Sequence, residues 1–349
     1  MTDAERGESR VRPGIGKAPG ALHREGGREA RGPARVLMLA LSALAIFLAG
    51  SLWLALFPPV PVDLDGAPNL DSRATRERVP VGEDHLDAWV LRGGGRGLVV
   101  IFHGYGRNHT RAWRYAQFLN RAGYSVVAPD FRSSRETDRK PTTLGRYELD
   151  DAEAVLRWVE SSRYSKEPLA LLGESLGGSV ALVLAARHAE VRAVVADCPF
   201  ASGRRALEDT FHYWTLLPGG PVATVAGAVG GVVTGADLTA LDVVAAADSL
   251  RATPLFLIHA ARDDRRRPGQ AEAIRAAAGG KDELWLTPEG HTEGWKFHRE
   301  EYERRVLSFL AHALRPAPGA RAKDAAVAPR GDARAVTRAA PRAVPRAAH

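Results

Sequence analysis

Residues 171–180 read LLGESLGGSV, an apolar run ending in a serine with a glycine two residues away on either side. Gly173, Ser175 and Gly177 spell G-x-S-x-G, the pattern of a nucleophile on a tight strand-to-helix turn. The chain has 35 glycines and 15 serines in 349 residues, so chance alone supplies ~0.15 such matches. The pattern therefore takes its meaning from what surrounds it.

Around it lies a β/α alternation. Strands are expected over 86–93, 97–104, 124–131, 168–175, 191–200, 253–261 and 282–290. Helical stretches fall at 110–123, 145–162, 175–189 and 300–314, the last with Tyr302, Val306, Phe309 and Leu310 on one face. Buried, β-branched strands separated by helices imply an α/β fold, a mostly parallel sheet flanked by helices. In such sheets ligands bind beyond the carboxyl ends of the strands, where each run here stops in a polar or glycine-containing motif.

The flanks differ from this body. Of the formal net charge of +7, residues 1–35 carry +3 and residues 315–349 carry +6, which leaves −2 for residues 36–314. The high pI belongs to the ends, and a basic nucleic-acid-binding body is excluded. Residues 1–35 are polar, Gly/Arg-rich and expected to be disordered, as is the Ala/Pro/Arg-rich tail 315–349. Between the first of these and a linker at 58–79 runs Val36 to Phe57, 22 residues without a charge. That length spans a bilayer core of about 30 Å as a helix. Five Lys/Arg lie in the 20 residues before it and two in the 20 after, which predicts a single-pass anchor in the cell membrane. The N-terminus would be cytoplasmic and the body at 80–314 extracytoplasmic. The single cysteine, Cys198, excludes a disulfide framework and reads as a small buried residue.

On four motifs in chain order, the body resembles the alpha/beta-hydrolase superfamily. They are VVIFHGYGRN (99–108), LLGESLGG (171–178), LFLIHAARDDRRRP (255–268) and LTPEGHTEGWKFHREEYERRVLSFL (286–310). The resemblance implies Ser175 as nucleophile, with the backbone N–H groups of Tyr105 and Leu176 as the oxyanion hole. It implies an acid after the strand 253–261: Asp263 is favoured and Asp264 is the alternative, because the following proline leaves the register split. Among His291, His298, His312 and His349, the position after a strand and a glycine favours His291 as base. His103 precedes the serine and is expected to brace its loop, as Glu148 and Asp151 are expected to brace the helix 145–162.

Residues 201–252 exceed an ordinary connection and include an apolar, glycine-rich run at 211–238, expected to form a helical lid over the site. The resulting expectation is a serine hydrolase of carboxylic esters or thioesters with a hydrophobic acyl group. The substrate would be a small or lipid-like ester, and neither cofactor nor metal is required. A prolyl-oligopeptidase-like peptidase, an acyltransferase and a catalytically silent binding protein are the alternatives, and the oligomeric state is left open.

Overall fold

The computed structural model describes residues 31–62, 73–135, 139–215 and 218–315. The two expected disordered flanks lie outside the described residues except for 31–35 and 315, and the linker at 58–79 is described in part. The chain divides into two compact units, one ending at Trp53 and the other beginning at Leu54.

The first unit holds most of helix α1 (Arg31–Leu56). Its stretch Gly32–Leu56 has a mean hydropathy of 2.2 over its most apolar window and is the one helix among the described residues long and apolar enough to cross a membrane. Its side chains are exposed from Val36 to Leu48.

The second unit is built on eight strands: β1 (Thr75–Val81), β2 (Asp84–Leu91), β3 (Leu98–Phe102), β4 (Ser125–Pro129), β5 (Leu169–Glu174), β6 (Val191–Asp197), β7 (Leu255–Ala260) and β8 (Glu283–Thr287). Their order in the sheet is β1-β2-β4-β3-β5-β6-β7-β8. The β1–β2 and β2–β4 pairings are antiparallel, and every pairing from β4 to β8 is parallel. Between strands run helices α2 (His109–Arg121), α3 (Arg146–Ser161), α4 (Leu176–Arg187), α5 (Gly203–Thr215), α6 (Gly219–Thr234), α7 (Val243–Ala247), α8 (Gly269–Ala277), α9 (Gly294–Phe297) and α10 (Arg299–Ala313).

Strand alternation divides the core between the two faces of the sheet. In β3, Val100 and Phe102 pack with β5's Leu171 under α3 and α4, while Val99 and Ile101 face α2 and α10 with Trp113 and Tyr302. Both sides are apolar because both are covered, which explains the unbroken LVVIF and LALL runs.

Strand β1 and helices α8 and α9 depart from the sequence reading. Strand β1, TRERVPV, was not anticipated: as an edge strand it buries only Val79 and shows charge and proline along its open side. Helix α8 follows the Asp263 loop in a stretch with only Ala271 and Ile274 as buried apolar residues, too weak a pattern to stand out.

We expect Leu171→Ala, fully buried in central β5, to lower unfolding free energy by about 2–5 kcal/mol in urea titration. A loss below about 1 kcal/mol would contradict this account of the core.

Candidate active site

The loops after β3, β5, β6, β7 and β8 leave the sheet at its carboxyl edge and bring together residues far apart in sequence. Ser175 stands between β5 and α4 at φ 52, ψ −113, a strained backbone for a residue with a side chain. Neighbouring glycines make this turn possible. A Cβ on Gly173 would meet Gly177 O at 2.2 Å, and one on Gly177 would meet Phe102 O at 2.1 Å. The helix thus sits closer to β5 and β3 than any side chain would permit.

His291 Nε2 lies 3.0 Å from Ser175 Oγ, and His291 Nδ1 lies 2.6 Å from Asp263 Oδ2. The other oxygen of Asp263 accepts the backbone N–H groups of Arg265 (3.0 Å) and Arg266 (2.7 Å), so the carboxylate is oriented from both ends. Burial opposes ionisation of Asp263, but hydrogen bonding and proximity to His291, with the Arg266 N–H, prevail and hold its pKa below the usual carboxylate value. The second aspartate, Asp264, is exposed on the cleft wall, and it is Asp263 that meets the histidine. The loops after β7 and β8 are laced together by Ala261 N–H to Thr287 O and Arg262 N–H to Glu289 O.

Tyr105 lies on the wall of the same cleft, and Leu176 opens α4. Among the described residues neither backbone N–H has a protein acceptor. For Leu176 this is what the first turn of a helix requires. The remaining histidines occupy other positions. His103 donates from Nδ1 to Gly104 O (2.9 Å) and accepts Phe131 N–H at Nε2 (3.1 Å), and burial pushes its pKa down, so it braces the loop as a neutral ring. His298 bonds Glu289 at 2.7 Å, outside the cleft wall, and His312 lies in the last turn of α10; His349 lies outside the described residues. Glu148 accepts Thr142, Thr143 and Gly145 around the start of α3, while Asp151 accepts the Arg132 backbone and side chain.

Behind the serine lies a polar cluster that the sequence reading missed. Glu174, buried next to Ser175, accepts Arg114 Nη2 (2.5 Å), Arg111 Nε (2.9 Å) and Tyr115 O–H (2.9 Å). Burial alone would raise its pKa; the two guanidiniums outweigh that and hold it down to about 2. The same arginines reach Thr292, the residue after His291: Arg111 Nη2 donates to Thr292 Oγ1 at 3.1 Å and Arg114 Nη2 to Thr292 O at 3.4 Å. Thr292 sits at φ 58, and its N–H points to Cys198 Sγ at 3.4 Å. Cys198 is buried, with its thiol pKa pushed well up by desolvation, so it serves here as a weak acceptor. The available sequence signal was an acid inside G-x-S-x-G together with Arg111 and Arg114 three apart on α2, one face of a helix.

Cys198, Asp263 and His291 bring potential ligand atoms within 4.8 Å of one another. Both Asp263 and His291 are already committed to their mutual bond, and the thiol is neutral, a poor donor set for a cation.

Residues 97–274 match the model of the alpha/beta hydrolase fold family, and the chain belongs to it. A search of curated proteins finds similarity to the uncharacterized protein YqkD of Bacillus subtilis, 26% identical over 215 residues, covering 61% of this chain and 70% of that one. Among solved structures, the Pyrococcus furiosus esterase Pf2001 superposes with a TM-score of 0.62 at 24% identity, over 74% of this chain and 98% of its own. An acylaminoacyl peptidase from Pyrococcus horikoshii superposes at 0.53 and 15% identity, over 69% of this chain and 41% of its own. At these identities the likeness establishes the fold and is compatible with several hydrolytic chemistries.

Glu174 makes the stability pH-dependent in a defined direction. Its folded pKa lies below the ordinary glutamate value of 4.5, so its contribution is complete above about 4.5 and lost as pH falls toward about 2. We expect thermal melts to fall across that window more steeply in the wild type than in Glu174→Gln. At pH 7 the variant should be destabilised by about 3 kcal/mol, because Arg114 is left buried beside a neutral partner. Identical pH slopes would contradict this assignment.

Proposed function

We propose that the chain is a serine hydrolase that cleaves carboxylic esters or thioesters through Ser175, His291 and Asp263. The observation that supports it most is the unbroken hydrogen-bonded line from Ser175 Oγ through His291 to Asp263 inside an open cleft. Asp263 keeps the proton on Nδ1, leaving Nε2 to accept the serine proton as Oγ adds to the substrate carbonyl. The tetrahedral oxyanion is received by the N–H groups of Tyr105 and Leu176, at the positive end of α4. His291 then returns its proton to the departing alkoxide or thiolate. Water, deprotonated by the same nitrogen, adds to the acyl-enzyme and releases the acid with Ser175 restored.

The bilayer is the proposed setting. Helix α1 would act as an uncleaved anchor, with the cytoplasmic N-terminus and external body that the flanking charges favour. The hydrophobic-acyl expectation finds no matching wall: among the described residues no aliphatic side chain lines the cleft, whose apolar surface comes from Tyr105, Tyr213 and Trp295.

We expect Ser175→Ala to lower kcat on an aryl ester by at least about 10³-fold. Asp263→Asn should lower kcat by about 10²-fold or more while Asp264→Asn stays within about 3-fold of wild type. Equal losses in the two asparagine variants would remove Asp263 from its role. For topology, protease added to intact cells should degrade the body and spare the N-terminal flank; a protected body would reverse the orientation.

A further inference from the structure

The cleft in front of Ser175 has a volume of about 540 Å³, and its wall is dominated by cations. Arg111 and Arg114 are committed to Glu174. Lys296 and four further arginines, Arg107, Arg262, Arg265 and Arg266, also line it. Among the described residues none of these four has a carboxylate within 4.0 Å.

Their other contacts leave donors to spare. Arg262 Nε donates to Pro288 O at 2.6 Å, and Arg265 lies over the Tyr213 ring at 5.1 Å. Arg266 donates to Arg265 O and Thr210 Oγ1, while its Nε is buried without any partner. Besides Glu174, two carboxylates share the wall with them: Glu293, whose Oε2 already accepts Gly290 N–H at 3.2 Å, and exposed Asp264. The balance of the wall stays positive in a body whose sequence carries −2 over residues 36–314. Cations gathered around a cleft of this volume suit a small anion.

We propose that the substrate is an ester bearing a carboxylate or phosphate group, bound by the guanidiniums of Arg262 and Arg265 while its carbonyl faces Ser175. This deepens the reading of Ser175 as a hydrolytic nucleophile and rests on it. The guanidinium fork matches planar oxyanions in a way that a lysine ammonium does not. The backbone that carries Arg265 is tied to the triad. Arg265 and Arg266 belong to the turn whose N–H groups hold Asp263, so the anion site and the acid of the triad move as one piece.

The test uses the full-length chain in a neutral detergent. It compares 4-nitrophenyl hydrogen adipate with 4-nitrophenyl hexanoate, each corrected for spontaneous hydrolysis. We expect kcat/KM to favour the half-ester by about 10-fold or more and the ratio to fall as NaCl rises from about 0.05 to about 0.5 M and screening strengthens. Arg262→Gln and Arg265→Gln should each reduce the ratio by about 5-fold; both side chains are exposed, and the backbone N–H that holds Asp263 is retained. Arg192→Gln, at the opposite end of β6, should leave the ratio unchanged. A wild-type ratio near or below one, or a ratio that survives the double variant, would overturn the proposal. Calorimetry on Ser175→Ala separates this from failure of the hydrolase reading. Adipate or inorganic phosphate should bind and lose affinity in the arginine variants even if no ester is turned over, and the tighter of the two identifies the anion. Absence of binding by both at millimolar concentration would refute the anion site by itself.

Discussion

Helix α4 comes so close to β5 and β3 that there is no room for a Cβ at residues 173 or 177, and this contact shapes the rest of the site. The chain has to turn from strand to helix within one residue, and Ser175 takes up the turn at φ 52. That conformation is strained, so it persists only because the packing around it leaves no alternative. Val180, Leu182 and Leu184 of α4 are all fully buried in the core on that face of the sheet. Burial energy spread along the helix thus maintains an unfavourable backbone at its first turn and lifts the hydroxyl into the cleft.

Electrostatics divides the site into two layers. Behind the serine, Glu174 is enclosed by Arg111, Arg114 and Tyr115, and the arginines extend to the loop that carries His291. In front, Arg107, Arg262, Arg265 and Arg266 line open space with no carboxylate within 4.0 Å among the described residues. The rear layer pairs its charges and ties the serine turn to the histidine loop, whereas in the front layer cations outnumber the carboxylates Asp264 and Glu293. Arg262 and Arg265 are exposed, so they remain charged and hydrated without a carboxylate partner and keep donors for a ligand.

How much of this could be read beforehand depended on the range of the signal. The G-x-S-x-G turn, the strand runs LVVIF and LALL, and the glycine before His291 are local patterns, and the structure carries them at those positions. Spacing favoured Asp263 over Asp264 without separating them: adjacent residues point in different directions, and the turn that places Asp263 Oδ1 on two backbone N–H groups is what aims its other oxygen at His291. Arg111 and Arg114 belong to a helix more than 170 residues before Thr292, so their link to the histidine loop is a product of topology. The polar wall was likewise hidden, because the apolar run in 211–238 suggested a hydrophobic pocket. Helix α6 instead leaves Val225, Val229, Val232 and Val233 exposed, and the inserted segment's described contribution to the cleft is Thr210 and Tyr213 of α5, beside the charged turns after β3, β7 and β8.

The central claim is that the strained serine is a nucleophile activated by His291. Incubation with a fluorophosphonate followed by peptide mass spectrometry tests it most directly. The account predicts a single covalent adduct on Ser175, formed at a rate that falls by about 10²-fold or more in His291→Ala. An adduct on another residue, or labelling of Ser175 that is indifferent to loss of His291, would contradict it.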